Sequence, residues 1–343
     1  MTREWALQSG LGEAIEIASM CRWGDEAVFP ARQADLPGAA WSPSEIAGFS
    51  SEQLENRAHW NDRLAGTDKI CDFAKDTEID WIKARGIDGG MVWIPADAVL
   101  LSEAKKDGAG LFCRADTNGC AAGRSDAEAR SAALFELIER DAVGRWWYGR
   151  RARPSLPASI IGAESHALLG RLSEIRVRTV LIDLTTNLKV PVVAAAGETE
   201  RGAVALGFSA ASTYCKAAQS ALEEMAKMLL VLWPGKGGGA LRPGLARWVK
   251  EVNFTTAPLS LVASGPYDPP EPPHSIGTLL QDNGIRVAFI ERTRPELGVP
   301  VWRAMSPDLC HWKPRFGRAR LLAEDQMDVG PVATNPNPTL LRM

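Results

Sequence analysis

The chain has 343 residues, of which 45% are hydrophobic and 24% charged, with a formal net charge of −3 at pH 7. This composition is that of a globular protein with an extensive core, and the weak negative charge gives no reason to expect nucleic acid or an anionic membrane as the main partner. No run approaches the roughly 18 apolar residues that span a bilayer, and the start, MTREWALQSG, has no apolar signal core. We therefore expect a soluble, cytoplasmic protein.

The six cysteines are scattered along the chain and form no CxxC pair, which argues against a zinc site and against a disulfide framework. We expect Cys113 and Cys120 to be buried thiols. The twelve tryptophans are also dispersed, and we expect them to contribute mainly to the core and to the walls of a groove.

The predicted elements begin with a small N-terminal layer over residues 1–60, where short amphipathic pieces alternate with Pro, Gly and Ser. The main domain is predicted over 61–343. Within it, the stretch DGGMVWIPADAVLLS (88–102) predicts a pair of strands, and a helix follows at about 126–148.

Further strands are predicted from β-branched runs bounded by turn residues, namely VRTVLIDLTT, VPVVAAAGE, GAVALGFSAAS, GIRVAFIER and VPVWRAMS. A second helix is expected from about 213 to 232, stopped by Pro234 and Gly235. Prolines exclude 266–273 from regular structure, and this loop is interpreted as a surface linker, with a substrate lid as the alternative. The tail, VATNPNPTLLRM, is predicted to be extended. Strands alternating with long helices predict an α/β or α+β layered fold.

The first long helix carries two carboxylates on one face. Ser125 and Glu128 have the spacing of a capping box at its start. Glu136 and Glu139 are three residues apart and therefore project together from a setting of Ala, Leu, Phe and Ile. Such a pair is often a solvated face or a structural ion pair. If buried, it would share a proton unless a cation such as Mg²⁺, which prefers oxygen ligands, is present.

The second helix echoes the first, because ALFEL at 133–137 corresponds to ALEEM at 221–225. Each helix follows a turn of small residues, NGCAAG or LGFSAAS. This predicts two related half-sites facing a shared cleft, with backbone N–H groups and the hydroxyls of Ser209 and Ser212 available to phosphate oxygens. A simple internal duplication of packing is the other interpretation. The chain has no GxxxxGK[ST] loop and no GxGxxG that opens a helix after a strand.

Three other features have a structural and a functional interpretation each. Trp146, Trp147 and Tyr148 are expected in the core, or as the wall of a peptide groove. His311 is expected to be structural rather than catalytic. The basic run at residues 145–153 (Arg145, Arg150, Arg151, Arg153) is interpreted as a solvated face, or as a docking site for an acidic leader or core peptide.

Over about residues 90–343 the chain resembles the YcaO superfamily, and specifically the ATP-dependent cyclodehydratases of azole-containing ribosomal peptides. The resemblance is carried by ADTNGCAAGRSDAEA, FELIERDAVGRWWYGRRARP, LTTNLKVPVV, LGFSAAS with ALEEMAKML, RTRPELGVPVWRAMSPDLCHWKPRF and NPNPTLL, in this order. It implies a YcaO-type fold with two sheet-and-helix half-sites around a cleft for ATP and Mg²⁺. The side chain of a Cys, Ser or Thr would attack the preceding carbonyl, whose oxygen is phosphorylated by ATP and leaves as phosphate.

The resemblance also implies roles for individual residues. The metal-binding residues would be Glu136, Glu139 and Glu224, and the nucleotide-binding residues Asn118, Arg140, Ser209, Ser212 and Lys227. The proline-bearing tail, with Pro336, Pro338 and the chain-end carboxylate of Met343, would assist catalysis.

Three departures from the family pattern are present. Lys227 stands where Gln or Glu is usual, and a lysine there would contact phosphate or displace a metal ion. The segment PRFGRARLLAED lacks the usual proline-glycine, and TLLRM extends the tail beyond its last proline. No nucleotide contact is assigned before residue 90.

The leading expectation is an azoline-forming enzyme for microcin- or bacteriocin-like peptides. Its expected partners are a ribosomal precursor peptide, a separate E1-like protein that binds the leader peptide, a flavin dehydrogenase, and a second copy in a homodimer. A thioamide- or amidine-forming YcaO enzyme and a non-catalytic peptide-binding scaffold are the alternatives.

Overall fold

A computed structural model describes residues 3–64, 68–71, 76–102, 114–232, 243–265 and 267–341. The chain divides into two compact units. The first comprises 1–137, 280–309 and 315–318, and the second 138–279, 310–314 and 319–343. No helix within the described ranges is long and apolar enough to cross a membrane.

The first half of the chain forms α1 Arg3–Met20, β1 Phe29–Ala31, β2 Ala39–Ala40, α2 Pro43–Ala47, α3 Ser51–Glu55, α4 Arg57–Leu64, β3 Ile79–Gly86, β4 Met91–Pro95, α5 Ala96–Val99, β5 Cys120–Ala122 and α6 Asp126–Gly149. The second half forms α7 Ala163–Glu174, β6 Arg178–Asp183, β7 Val192–Glu198, β8 Val204–Ala210, α8 Tyr214–Leu232, α9 Pro243–Glu251, α10 Ile276–Asp282, β9 Ala288–Glu291 and β10 Val301–Met305. This mixed α+β architecture confirms the predicted fold class.

The first unit contains a mixed sheet with the strand order β2-β4-β3-β9-β10-β5, and β1 pairs with β3 beside this path. β3 and β4 form an antiparallel hairpin in which Ile82 lies opposite Ile94. Both side chains are buried in a cluster with Trp41, Val99 and Ile290. The N-terminal segment thus contributes β1 and β2 to the same sheet as the later strands, while the predicted boundary at residue 60 stays a prediction.

Two sequence predictions for the first unit are wrong in detail. Residues 88–102 do not form a strand pair, because β4 is followed by the short helix α5, and the partner of β4 is the preceding strand β3. The hairpin turn between them has Gly89 at φ +86°, a conformation that suits glycine. The N-terminal layer begins with the 18-residue helix α1 and not with short pieces only.

The second unit is built on the antiparallel sheet β6-β7-β8. One face of this sheet packs on α8, whose buried residues follow the i, i+3, i+4 spacing of an amphipathic helix: Tyr214, Ala217, Ala218, Ala221, Leu222, Met225, Leu229 and Leu232. Gly207 allows this close approach, since a Cβ there would lie 2.2 Å from the Ala221 carbonyl oxygen. On the other face, Trp146 of α6 packs edge-on against Phe208 of β8, with ring centroids 6.1 Å apart. The sheet therefore lies between α6 and α8.

The described part of the proline loop, 267–273, contains no helix or strand, and the tail over 331–341 is also without regular structure, as predicted. Pro266, Pro234 and Gly235 lie outside the described residues. The choice between a linker and a lid for this loop stays a prediction.

Candidate functional site

Two carboxylates meet at the free edge of β8. Within the described sheet β8 pairs only with β7, and alternate backbone N–H groups of an edge strand point away from the partner strand. The N–H of Phe208 donates to Glu224 Oε2, and the N–H of Ala210 donates to Glu139 Oε2 at 3.1 Å. Glu224 comes from α8 on one face of the sheet and Glu139 from α6 on the other. The two helices thus place one acid each at neighbouring donors of a single strand.

Desolvation raises the pKa of both acids, so that they do not readily ionise together. Glu139 is 8% exposed, and desolvation raises its pKa against the opposing effects of Arg140 and the Ala210 N–H. Desolvation, and then the charge of Glu139, raise the pKa of Glu224 to about 7, although Arg140, the Phe208 N–H and Lys227 act in the opposite direction. One Arg140 Nη1 lies 3.2 Å from Glu139 Oε1. At neutral pH the pair therefore retains a proton that a cation could replace.

The donor set fits Mg²⁺. Mg²⁺ is usually held by one or two carboxylates together with phosphate oxygens and water, and not by a cage made of protein alone. Consistent with this, no group of three or more His, Cys, Asp or Glu side chains in the described ranges is arranged to hold a metal ion. Glu139 and Glu224 are the residues that would hold the ion, with a nucleotide completing its coordination.

Glu136 lies on α6 one turn before Glu139, in the part of the helix that belongs to the first unit, and it is half-buried. Its predicted metal role stays a prediction. At the start of α6 the predicted capping box is only half formed. Ser125 Oγ accepts the Glu128 N–H at 3.3 Å, but the Glu128 carboxylate binds the backbone N–H and guanidinium of Arg124. The adjacent cation competes successfully for the carboxylate.

Asn118 lies in a turn of the first unit, where its N–H donates to Asp116 Oδ1 at 3.1 Å. Among the atoms described, its own Oδ1 is buried without a hydrogen-bond partner. Asp116 is 3.6 Å from Arg303 Nη2 and 3.9 Å from Arg315 Nη2. The turn is thus polar and charged, as a nucleotide contact requires, and this role for Asn118 stays a prediction.

The other predicted nucleotide residues surround the start and middle of α8. Ser209 lies in β8 between the two N–H donors, and Ser212 is exposed just before the helix. The residue that caps α8 is Thr213, whose Oγ1 accepts the Lys216 N–H at 3.3 Å. Lys227 is exposed one turn after Glu224 and lowers the pKa of that acid through its charge. Nucleotide contacts by Ser209, Ser212 and Lys227 stay predictions.

The basic run is neither a solvated face nor a docking surface at three of its four arginines. Arg145, Arg151 and Arg153 are 2–3% exposed. Arg145 Nη1 binds Asp325 Oδ2 at 2.7 Å, and Arg151 and Arg153 both pair with Asp328. These partners lie 175–180 residues away along the chain, so the local sequence did not reveal them. The cluster is a buried structural network.

The remaining sequence predictions concern single side chains. The core interpretation is confirmed for Trp146, Trp147 and Tyr148, each 1% exposed. His311 Nδ1 accepts the Lys313 N–H at 2.9 Å, which is a local structural contact. Burial raises the pKa of the Cys120 thiol to about 12, as expected of an inert cysteine. Cys113 lies outside the described residues.

The tail residues predicted to be catalytic are Pro336, which is half-buried, Pro338, which is exposed, and Met343, which lies outside the described residues. Their catalytic role stays a prediction. The sequence predicted backbone N–H groups of LGFSAAS as donors to phosphate oxygens. The N–H groups of Phe208 and Ala210 instead donate to Glu224 and Glu139, and the edge position of β8 makes them available.

Residues 1–310 match the family model described as YcaO cyclodehydratase, ATP- and Mg²⁺-binding. The structure is similar to that of the heterocyclase TruD, with a TM-score of 0.82 and 25% identity, over 98% of this chain and 50% of that one. A heterocyclase in complex with substrate and cofactor matches with a TM-score of 0.80 and 25% identity, over 92% and 44% of the two chains. The YcaO protein of Methanopyrus kandleri, bound with AMPPCP and Mg²⁺, matches with a TM-score of 0.58 and 22% identity, over 90% and 76%, and shows a shared fold.

The chain spans about half the length of the two heterocyclase chains that it matches. The family model nevertheless covers most of this sequence and includes the residues before 90, which the resemblance had left out. It also includes both carboxylates at the β8 edge, the groups whose chemistry suits a magnesium nucleotide. The chain therefore belongs to the YcaO family of cyclodehydratases, and its cofactors are ATP and Mg²⁺.

Proposed function

We propose that this protein is an ATP-dependent cyclodehydratase that converts Cys, Ser or Thr residues of a ribosomal precursor peptide to thiazolines or oxazolines. The observation that carries the proposal is the pair of acids at the edge of β8, of which Glu139 is buried and Glu224 half-buried. Backbone N–H groups of one strand hold Glu139 and Glu224, and the pKa of each acid is raised. Membership of a family of cyclodehydratases supports the same reaction class.

The proposed reaction removes one water from the peptide. The thiol or hydroxyl of the substrate side chain adds to the preceding carbonyl carbon and loses its proton. This addition closes the five-membered ring. The former carbonyl oxygen, once phosphorylated, leaves as phosphate, the amide nitrogen loses its proton, and a C=N bond forms within the ring. Bound ATP supplies the phosphoryl group, and Mg²⁺ neutralises its charge.

The residues of this chain would hold the reacting groups in place. Glu139 and Glu224 would give up their shared proton and hold the cation, while the β8 N–H groups keep both carboxylates oriented. Arg140, whose Nη1 lies 3.2 Å from Glu139 Oε1, would neutralise phosphate charge. Glu136 would add a third acid from the preceding turn of α6.

Four further residues are proposed to contact the nucleotide. Ser209 is placed between the two backbone donors of β8, and Ser212 is placed just before α8. Asn118 would contribute from its polar turn. Lys227 would contact phosphate, since it stands one turn beyond Glu224 and its charge already acts on that acid.

Two alternative functions use the same fold. A thioamide- or amidine-forming enzyme would use the same ATP site with another nucleophile. A non-catalytic scaffold would bind peptide without turnover. The buried acids speak against the scaffold, because keeping two desolvated carboxylates together is costly unless a ligand uses them.

The proposed partners follow from the substrate. We infer that an E1-like protein captures the leader peptide of the precursor. A flavin dehydrogenase would oxidise azolines to azoles, and the enzyme itself would act as a homodimer in the cytoplasm, in the maturation of a microcin- or bacteriocin-like peptide.

The test is intact-mass spectrometry of the precursor peptide encoded beside the gene, co-expressed with this protein and the neighbouring partner. We expect the loss of one water mass per modified Cys, Ser or Thr. Glu224→Gln should abolish the loss, whereas Glu223→Gln on the same helix should not, because Glu223 Oε1 accepts a hydrogen bond from Gln219 Nε2, one turn earlier on α8. An unmodified peptide from a protein that binds Mg·ATP would favour another nucleophile or the scaffold.

A further inference from the structure

The C-terminal end of α6 has an unusual backbone. Arg150 N–H donates to the Trp147 carbonyl at 3.4 Å and Arg151 N–H to the Trp146 carbonyl at 3.1 Å, which is the hydrogen-bond pattern of a Schellman motif. Arg150 occupies the left-handed position of this motif with φ +48°, where glycine is the usual residue. A left-handed conformation of a non-glycine residue persists when the surroundings hold it. At the end of α6, residues of the C-terminal tail make the contacts that hold this conformation.

Asn337 is the tail residue that binds the end of α6 directly. It is 5% exposed. Its N–H donates to the Tyr148 carbonyl at 2.7 Å, and its Nδ2 donates to the Trp147 carbonyl at 3.2 Å. Its Oδ1 accepts the Thr339 N–H at 3.1 Å, which fixes the orientation of the amide. Asn337 thus supplies one donor to the Tyr148 carbonyl and a second donor to the Trp147 carbonyl, which also accepts the Arg150 N–H.

The rest of the tail lies along the same aromatic cluster. Trp147 Nε1 donates to the Thr339 carbonyl at 2.8 Å, and Trp147 itself stacks on Trp248. The N–H of Leu341 donates to the Tyr148 hydroxyl at 3.4 Å. Pro336 and Pro338, on either side of Asn337, stiffen the backbone that presents it.

The segment before the tail contacts α6 one to two turns before the end of the helix. Asp325 binds Arg145, and Arg320 Nη2 binds Asp141 Oδ2 at 2.8 Å. Asp141 is fully buried and follows directly after Glu139 and Arg140 in the sequence. The last part of the chain therefore contacts α6 from its end back to the turn that carries the acid of the β8 edge.

We propose that Asn337 is a positioning residue that sets the placement of α6 along its axis, and with it the placement of Glu139 and Arg140. Trp147 is eight residues beyond Glu139 on this helix, about 12 Å at 1.5 Å per residue, and a rigid helix transmits a shift at one end to the other. Asn337 then acts on the nucleotide site through α6, without reaching the reacting atoms. This inference rests on the nucleotide-binding part of the proposed function and not on the identity of the peptide.

The test compares two asparagines of the same tail. Asn337→Asp is isosteric and keeps the acceptor for Thr339, but it turns the Nδ2 donor into an oxygen that faces the carbonyls of Trp147 and Ala257. Asn335→Asp, two residues earlier at an exposed position, adds the same charge as a control. Affinity for Mg·ADP is measured by calorimetry without peptide, and amide hydrogen exchange is followed over residues 139–149.

We expect Asn337→Asp to weaken Mg·ADP binding on the order of tenfold, the lower end of what the loss of an outer partner costs a metal site, and to speed exchange over 145–149. The control should match the wild type in both measurements. Asn337→Ala, which keeps the main-chain donor, should show the same effects at smaller size and serves if the aspartate variant does not fold.

A folded Asn337 variant that binds Mg·ADP with wild-type affinity would overturn the proposal. Such a variant would show either a lower melting temperature only or a loss of cyclisation only. The first result would make the tail merely structural, and the second would place it at the reacting atoms. A wild-type protein that binds Mg·ADP but modifies no peptide would refute the proposed cyclodehydration, while the loss of affinity in Asn337→Asp would still support the positioning role.

Discussion

Two groups of charges in the second unit are balanced differently. One comprises Arg145, Arg151 and Arg153, at or just after the end of α6, and the other comprises the two acids at the edge of β8. Each of the three arginines has Asp325 or Asp328 as an ion-pair partner. At the β8 edge, Glu139 and Glu224 have Arg140 nearby and an exposed Lys227 further out, and the pKa of Glu224 stays raised to about 7.

This difference distinguishes a structural group of charges from a ligand-binding one. A buried network in which every arginine has an ion-pair partner holds parts of a chain together and has no need of a ligand. A pair of acids that retains a proton can instead bind a cation in its place. The favourable free energy of that interaction is gained only when the cation binds. The same helix, α6, carries both kinds of charge, so the structural network orients the functional one.

The largest expected effect is on the ion-paired cluster of Arg145, Arg151 and Arg153. Asp328→Asn should lower the free energy of unfolding by about 3–5 kcal/mol, because it leaves Arg151 and Arg153 buried without their counter-charge. Urea unfolding followed by tryptophan fluorescence measures this loss. Glu324→Gln, an exposed acid of the same segment, is the control and should change stability little. Equal stability of the two variants would mean that the ion pairs of this cluster do not stabilise the fold.

Glu224→Gln, at the β8 edge, is expected to raise the free energy of unfolding of the metal-free protein, by less than Asp328→Asn lowers it. The pKa of Glu224 is raised from 4.5 to about 7, so the folded state holds an extra proton in this window and stability falls as pH rises through it. Glu224→Gln cannot ionise yet still accepts the Phe208 N–H, and it should be more stable than the wild type above pH 7 by about 1–3 kcal/mol.

The two proteins should have similar stability near pH 4, where the wild-type acid is protonated in both states. Thermal unfolding over the pH range, in the presence of a chelator, measures the difference, with Glu223→Gln as the matched variant. A difference that does not depend on pH would show that Glu224 is not a strained acid.

The parts of the fold that the sequence predicted are those with a local signal. The strands β6, β7 and β8 and the helices α6 and α8 follow from β-branched runs and from helical spacing of apolar residues. The site residues were predicted from the order of the family motifs along the chain. Glu139 and Glu224 lie far apart in sequence, and the family pattern assigns both of them to one site.

The parts that could not be predicted depend on distant or main-chain partners. The four arginines of RWWYGRRAR resemble a solvated run until Asp325 and Asp328 are placed beside three of them. The N–H groups that orient the acids belong to β8, and any residue type would provide them. Gly207 was the one local hint, because glycine in a strand often marks a close approach of backbone, here to α8.

The central claim, that the acids of the β8 edge hold a proton in place of a metal nucleotide, is tested most directly by the proton balance of binding. Mg-saturated ADP, whose own proton is already lost, is titrated into the protein in buffers of different ionisation enthalpy. Close to one proton should be released per site near pH 6, falling toward none at pH 9, where Glu224 is already ionised. Binding with no proton released at either pH would contradict the account.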